Sequence, residues 1–166
     1  MKMKLAALLL FSCALVQAQP AERKNWFEDP FFRVSAGLAN CPAPLGPLFT
    51  VEEQRREAHY RIERGTSCWL AGTCKDSNAY RYDKLLAAPV EAALKAVPGV
   101  ERSSIWVTIQ RRWVFLEGCV TGPEQISQLE QAARRVADVE SVVPMLALPG
   151  EKPRYPLADS TLTSHR

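Results

Sequence analysis

The chain has 166 residues, which is enough for one modest domain with extensions and too few for two large hydrophobic cores. Its formal net charge is +3, but Lys2 and Lys4 stand at the extreme N terminus, and the rest of the chain has 19 basic and 18 acidic residues. Binding of nucleic acid needs a concentrated basic surface, so this charge balance argues against a nucleic-acid partner.

The first 18 residues have the pattern of a secretory signal peptide, with a basic start, a short apolar run that ends at Val16, and predicted cleavage after Ala18. The run is too short for an ordinary membrane-spanning helix, so we expect no transmembrane span in the mature chain. Alternatively, Leu10-Phe-Ser-Cys13 resembles the lipobox of bacterial lipoproteins, in which the cysteine becomes the lipidated first residue. We therefore expect export to the periplasm or, in the alternative, an outer-membrane lipoprotein.

Four cysteines remain after cleavage, and an even number in an oxidising compartment predicts two disulfides; they are Cys41, Cys68, Cys74 and Cys119. Four cysteines allow three pairings. Cys68 and Cys74 enclose a loop that is wider than the Cys-x-x-Cys of thiol oxidoreductases, which favours a structural disulfide over a redox pair. The sequence has no haem-attachment motif and no two tight pairs of zinc ligands, and we predict neither a metal nor a cofactor.

Residues 19–80 form a predicted N-terminal extension. Its first part is an aromatic segment around Asp29-Pro30 that is too apolar for a plain linker, and we expect it to dock on the domain or to bind a partner. After a proline-rich connector, Thr50-x-x-Glu53 forms a capping box and predicts one helix from about residue 51 to 64. Both signs of charge alternate along this helix, Arg61 among them, which indicates a solvated and self-paired face.

The stretch from Asp83 to Leu146 carries the periodicity of a folded domain. Apolar residues recur every three or four positions over 86–97 and 126–136, which predicts two amphipathic helices. Between them, two runs rich in Val, Ile, Trp and Phe flank Gln110-Arg111-Arg112 and predict a β-hairpin. A third apolar run closes the unit. The predicted fold class is α+β, in the order αββαβ, with a small mixed three-stranded sheet and both helices on one face.

The order of elements and the strand Val114-x-Leu116-x-Gly118-x-Val120 resemble the BON domain, a small envelope module first described in bacterial osmotically inducible and nodulation proteins. The resemblance covers residues 82–148. It implies a structural role for Gly118, where the backbone would approach a packed helix closely. The chain departs from the family where Arg111-Arg112 replaces a glycine turn and Asp138-Val139 replaces Gly-Val.

Strand alternation assigns the side chains of the hairpin to two faces of the sheet. One face is aliphatic. The other carries Trp106, Trp113 and Phe115, a large apolar patch that either the extension or a partner must cover. Cys119 points to this second face and needs a cysteine from outside the domain. We therefore prefer the pairing Cys41–Cys119 with Cys68–Cys74, in which the longer loop contributes more to stability.

The sequence offers no set of residues for catalysis. The predicted domain contains no histidine and no glycine-rich phosphate loop, and we expect no enzymatic activity. Residues 149–166 are polar and contain little to bury, which predicts a disordered tail.

The BON resemblance implies a non-enzymatic module that binds phospholipid or another envelope component and supports envelope integrity in a stress response. The clustered positive charges of the domain are the candidates for contact with an anionic phospholipid surface; they are Arg111, Arg112, Arg134 and Arg135. The alternative is a periplasmic interaction or assembly subunit, in which the aromatic N-terminal segment or the aromatic sheet face binds another envelope protein.

Overall fold

The computed structural model describes residues 21–158, so the predicted signal peptide with Cys13, and residues 159–166, lie outside the described part of the chain. The helices are α1 Val51–Gly65, the single-turn α2 Ser67–Leu70, α3 Asp83–Lys95 and α4 Pro123–Arg134. The strands are β1 Phe31–Ala36, β2 Ser104–Gln110, β3 Trp113–Cys119 and β4 Ser141–Ala147. The architecture is mixed α+β.

The sheet has four strands in the order β1-β2-β3-β4, and the predicted number of three is wrong. The β1/β2 and β2/β3 pairs are antiparallel, and β3 and β4 are parallel as predicted. The additional strand is the aromatic segment of the extension, where Phe31 lies opposite Thr108 and Phe32 opposite Val107. The extension therefore docks by adding a strand to the edge of the domain, and its backbone polar groups join the ladder.

The two edge strands are both irregular. A register shift between Arg33 and Ser35 interrupts the pairing of β1 with β2. At the other edge, β4 contains Pro144, opposite Leu116 of β3. Pro144 has no backbone N–H, which an edge strand tolerates because its outer side has no partner to bond.

The hydrophobic core lies between the sheet and the two helices α3 and α4, which pack on one face of it. Both helices contribute aliphatic side chains at the predicted spacing, and the inward-facing positions of β2 and β3 are fully buried. The fully buried members are Val90, Leu94, Ile105, Val107, Ile109, Val114, Leu116, Val120, Leu129, Ala133 and Leu146. The prediction for this face of the sheet is confirmed.

The extension folds around α1, whose capping box has both expected hydrogen bonds, between the Thr50 side chain and the Glu53 amide and between the Glu53 side chain and the Thr50 amide. Beyond the one predicted helix, the extension also supplies α2 and β1. Two disulfides hold it, Cys41–Cys119 and Cys68–Cys74, the pairing preferred on the basis of the sequence. The first disulfide joins the extension to β3, and the second closes a loop inside the extension.

The start of the predicted disordered tail is ordered. Residues 149–158 run back along the extension, where the Leu45 amide donates to the Pro156 carbonyl at 2.8 Å. Tyr155 is 5% exposed, and its hydroxyl donates to the Pro42 carbonyl at 2.8 Å. One buried tyrosine and main-chain pairing are enough to order this segment, despite its polar composition. Together, residues 41–47 and 153–158 form a two-stranded cover that we call the strap.

Gly118 does allow a close approach of two backbones, but its partner is a strand and not a helix. It has φ +130°, and a Cβ on it would lie 2.0 Å from the carbonyl oxygen of Ser104 in β2. Any side chain would therefore push the two antiparallel strands apart. The role implied by the resemblance is corrected in this respect.

Candidate functional site

The turn of the β-hairpin contains two arginines in a left-handed conformation, Arg111 with φ +56° and Arg112 with φ +65°. Such a two-residue turn normally favours Asn or Gly, because L side chains strain the backbone at positive φ. Asp83, the first residue of α3, compensates: its carboxylate accepts both arginine amides at 2.7 Å. Burial raises the pKa of Asp83 to about 6, and these two hydrogen bonds oppose the rise.

Arg112 cannot contact a membrane with its side chain. It is 7% exposed, and its Nε donates to the Asp138 carbonyl at 2.7 Å. The guanidinium also pairs with Glu140 at 3.7 Å and lies 5.2 Å from the centre of the Tyr82 ring. Arg112 thus fixes the loop between α4 and β4, and its burial argues against the contact with an anionic surface that the sequence suggested for it.

The other three arginines of the predicted set lie at the same end of the domain, because the contacts of Arg112 bring the loop after α4 to the hairpin turn. Arg134 is exposed but pairs with Glu130 at 2.6 Å, one helical turn away. Arg135 is exposed, and Arg111 is half-buried with its guanidinium 4.6 Å from the centre of the Trp113 ring. Neither Arg111 nor Arg135 has a salt bridge within residues 21–158.

The Cys68–Cys74 loop is tied to this end through Tyr82. The Tyr82 hydroxyl accepts hydrogen bonds from the amides of Lys75 and Asp76, each at 3.0 Å. Lys75, Tyr82 and Leu85 line one shallow hollow, and Leu85 is 77% exposed. We call this region the hairpin end: the Arg111-Arg112 turn, the first turn of α3, the C terminus of α4 and the Cys68–Cys74 loop.

The sheet face opposite the helices, called the open face, carries the three predicted aromatic residues, all half-buried. Trp113 and Phe115 pack against each other with ring centres 6.5 Å apart, and the Arg33 guanidinium lies 6.0 Å from the centre of the Trp106 ring. The strap covers part of this face. A Cβ on Gly46 would lie 2.9 Å from the ring of Phe31, so the backbone of the strap rests directly on an open-face side chain.

A buried acid lies on the open face. Glu117 is 5% exposed, and within the described residues its carboxylate accepts one hydrogen bond, from the Thr108 hydroxyl at 3.1 Å. Burial raises the pKa of Glu117 to about 7, so the side chain is largely protonated below neutral pH. Burial and the nearby Glu117 raise the pKa of Tyr155 in the strap to about 12. Glu117 thus lies near Tyr155 of the strap and is excluded from solvent.

A second buried charge joins the extension to the domain. Arg61 of α1 forms a two-pronged ion pair with Asp29, and its guanidinium lies between the rings of Phe27 and Tyr80, at 3.9 and 4.3 Å. Asp29 also accepts a hydrogen bond of 2.6 Å from the side chain of Gln110 in β2. Arg61 therefore belongs to a buried junction and not to the solvated face predicted for α1.

An apolar groove of about 390 Å³ opens at the opposite end of the molecule, beside the Cys41–Cys119 disulfide. Leu38, Pro42, Val120 and Leu148 are among its walls. Its one charged lining residue, Glu151, already accepts a hydrogen bond from the Leu148 amide at 3.0 Å. Besides Glu151, the groove is lined by one polar amide side chain, that of Asn40, so it offers few groups to orient a ligand.

The three buried carboxylates among the described residues have structural partners. Asp29, Asp83 and Glu117 are all taken up in the contacts above, and His59 is exposed and pairs with Glu63 at 3.3 Å. Within residues 21–158, no group of three or more metal-binding side chains comes together. In the same range, no helix has the length and apolar character needed to cross a bilayer.

Comparison with protein-family models matches residues 82–150 to the BON domain. This match confirms the resemblance drawn from the strand pattern. It covers α3 to β4 and leaves the extension unassigned. No curated protein and no solved structure matches the chain.

Proposed function

Since residues 82–150 are a BON domain, we propose that this protein is an exported, non-enzymatic module of the cell envelope that binds anionic phospholipid surfaces with its hairpin end. The observation that carries the proposal is the composition of that end. Leu85 is exposed there and shares a hollow with Lys75, and this end also carries Arg111 and Arg135. None of these three cations forms a salt bridge within the described residues.

The expected strength of binding follows from these groups. Each cation near an anionic membrane contributes about 1 kcal/mol, and the contribution falls off within a Debye length. An exposed leucine adds apolar area that can enter the headgroup region. The sum gives weak and reversible adsorption, which suits a module that stays mobile in the envelope.

The absence of catalysis is part of the proposal. Three buried acids could serve as a general acid or base, and each already has a partner. Asp83 accepts amides of the hairpin turn, Glu117 accepts the Thr108 hydroxyl, and Asp29 pairs with Arg61. A BON domain is consistent with an envelope-associated module without catalysis.

Vesicle co-sedimentation of the mature chain tests the membrane proposal. Wild-type protein is expected to bind phosphatidylcholine vesicles only when they contain phosphatidylglycerol, and to lose binding in high salt. The variant Lys75→Gln/Arg111→Gln/Arg135→Gln should bind about a hundredfold more weakly, which corresponds to about 3 kcal/mol. The matched control Lys95→Gln/Arg102→Gln/Lys152→Gln removes three charges away from the hairpin end and should bind normally. Equal binding by both variants would contradict the proposal.

The cellular location has its own test. Intact mass of the protein from the envelope fraction distinguishes a periplasmic chain that starts at Gln19 from a diacyl or triacyl lipoprotein that starts at Cys13. We propose the first form, and a lipid adduct would establish the second.

The open face supports a second candidate function, binding of another envelope protein. Trp106, Trp113 and Phe115 remain half-exposed beyond the strap, and the buried indole N–H of Trp113 has no hydrogen-bond partner within the described residues. Aromatic side chains of this kind dominate protein interfaces. Crosslinking in the envelope through a photoreactive residue at Phe115, with exposed Glu124 on the helical side as control, would detect such a partner.

A further inference from the structure

The Cys68–Cys74 loop exposes two large apolar side chains next to each other. Trp69 is 50% exposed and Leu70 is 73% exposed. All five residues 69–73 are exposed, and a Cβ on Gly72 would meet no other atom within 4 Å. The loop therefore projects from the molecule and does not lie against it.

This loop is held in one shape. Its disulfide joins the two ends, and Cys68 itself is 4% exposed, so the base of the loop is anchored in the fold. Inside the loop, the Gly72 amide donates to the Trp69 carbonyl at 3.0 Å and the Thr73 amide donates to the Cys68 carbonyl at 2.8 Å. The apolar pair is thus displayed on an ordered scaffold, and little conformational entropy remains to be lost when it binds.

Two cations flank the loop directly, and the acids next to them, Glu63 and Asp76, pair with His59 and Arg81. Arg64 precedes it and Lys75 follows it, both exposed, and the sequence has no acidic residue between Glu63 and Asp76. A tryptophan and a leucine flanked by cations match the layered chemistry of a membrane surface, where indole rings settle at the headgroup level and cations meet anionic lipid.

We propose that the Cys68–Cys74 loop is the membrane-inserting element of this protein, with Trp69 and Leu70 entering the headgroup region of an anionic bilayer. The inference deepens the proposed function and rests on it: the cations of the hairpin end bring the protein to the membrane, and the loop supplies the apolar anchor. A bilayer accepts a protruding tip without shape complementarity. A protein partner would have to supply a cavity that matches the tip.

Vesicle binding by loop variants tests the inference. Trp69→Ser/Leu70→Ser should bind phosphatidylglycerol-containing vesicles at least tenfold more weakly than wild type, because each buried side chain of this size changes the partition coefficient by about tenfold. Its remaining binding should keep its dependence on salt. The control Val51→Ser removes an apolar residue of similar exposure, 51%, at the other end of α1, and should bind like wild type. Thermal melts should show that both variants are folded.

A direct readout comes from phosphatidylglycerol vesicles whose lipids carry bromine on the acyl chains, which quench tryptophan fluorescence on contact. Wild type should be quenched, and Trp69→Phe, which keeps the apolar character of the site, should bind but lose most of the quenching. If wild type binds and Trp69→Ser/Leu70→Ser binds equally well, the insertion proposal is overturned and the proposed function stands. If wild type does not bind these vesicles at all, both proposals fall.

Discussion

The two faces of the sheet are covered in different ways. On the helical side, aliphatic residues that are fully excluded from water, such as Leu116, meet two amphipathic helices. On the open face, the strap lies over Phe31 and near the buried Glu117, and the Cys41–Cys119 disulfide joins it to β3. Burial of apolar area therefore holds one side of the molecule, and covalent and polar ties hold the other.

This difference indicates which side of the molecule can change without loss of the core. The helical side contains the hydrophobic core of residues 82–150, so its residues have little freedom to change. The strap and the extension contribute few large buried side chains, and they depend on specific links that mutation or reduction can cut one at a time.

The largest expected effect is loss of the Cys41–Cys119 disulfide. It closes a loop with a sequence separation of 78, and the variant Cys41→Ala/Cys119→Ala should lose about 4 to 5 kcal/mol of unfolding free energy. Cys68→Ala/Cys74→Ala, with a separation of 6, should lose about 2 kcal/mol. Denaturant titration measures both. Hydrogen exchange should show the strap opening first in the first variant, while the amides between β2 and β3 stay protected; simultaneous opening would contradict the contrast between the faces.

Adjacent residues of β3 give a sharper comparison. Leu116→Ala creates a cavity in the core and should cost about 3 to 4 kcal/mol. Phe115→Ala, one position along the same strand, removes a larger but half-exposed side chain and should cost about 1 to 2 kcal/mol. The measurement is again the free energy of unfolding. A larger loss for Phe115→Ala would mean that the open face is the better packed side.

Glu117 should make stability depend on pH. Its pKa in the folded protein is about 7, above the usual 4.5, so folding favours the protonated form. The stabilisation is present in full below about pH 4.5, declines as the pH rises to about 7, and amounts to about 2 to 3 kcal/mol. Glu117→Gln should remove most of this pH dependence, which thermal melts at a series of pH values would measure. A remainder with the same sign, complete by about pH 6, should persist from Asp83.

The smallest expected effect is a gain. Arg111→Asn places a residue that tolerates positive φ in the hairpin turn and should add about 0.5 to 1 kcal/mol. Arg111→Val places a β-branched residue there and should lower stability by a similar amount or more. Both variants lose the contact with Trp113, so the difference between their stabilities measures the backbone strain at this position. Equal melting temperatures would show that the turn is not strained.

The helical side was predictable from the sequence because its evidence is local. The spacing of Leu86, Val90 and Leu94 marks a helix face, and the alternation in β2 and β3 marks the strands. β1 was missed because it has six residues and its partner strand lies about 70 positions away in the sequence. The pairing of Cys41 with Cys119 could be preferred because strand alternation put Cys119 on the uncovered face.

The candidate site was less predictable, because exposure of a charged residue depends on tertiary contacts. Arg112 and Arg61 have the same local sequence patterns as solvated arginines. In the fold both are largely excluded from solvent, and each pairs with an acid that is distant in the sequence, Glu140 and Asp29 respectively. In the sequence, Asp83 has the pattern of an ordinary first residue of a helix. In the fold, its carboxylate accepts the amide of Arg111 in the hairpin turn, 28 positions later. Trp69 and Leu70 were visible in the sequence, but only the fold shows that nothing in the described residues covers them.

The irregular edges of the sheet determine how readily this protein pairs with strands of other molecules. A sheet with a straight, open edge can recruit strands from other molecules and grow into fibrils. Here β1 occupies the regular edge of β2, its register shift bends the new border, and Pro144 withholds an amide from the opposite border. Neither side presents an even row of donors and acceptors, so the fold is protected against cross-β aggregation at both borders of its sheet.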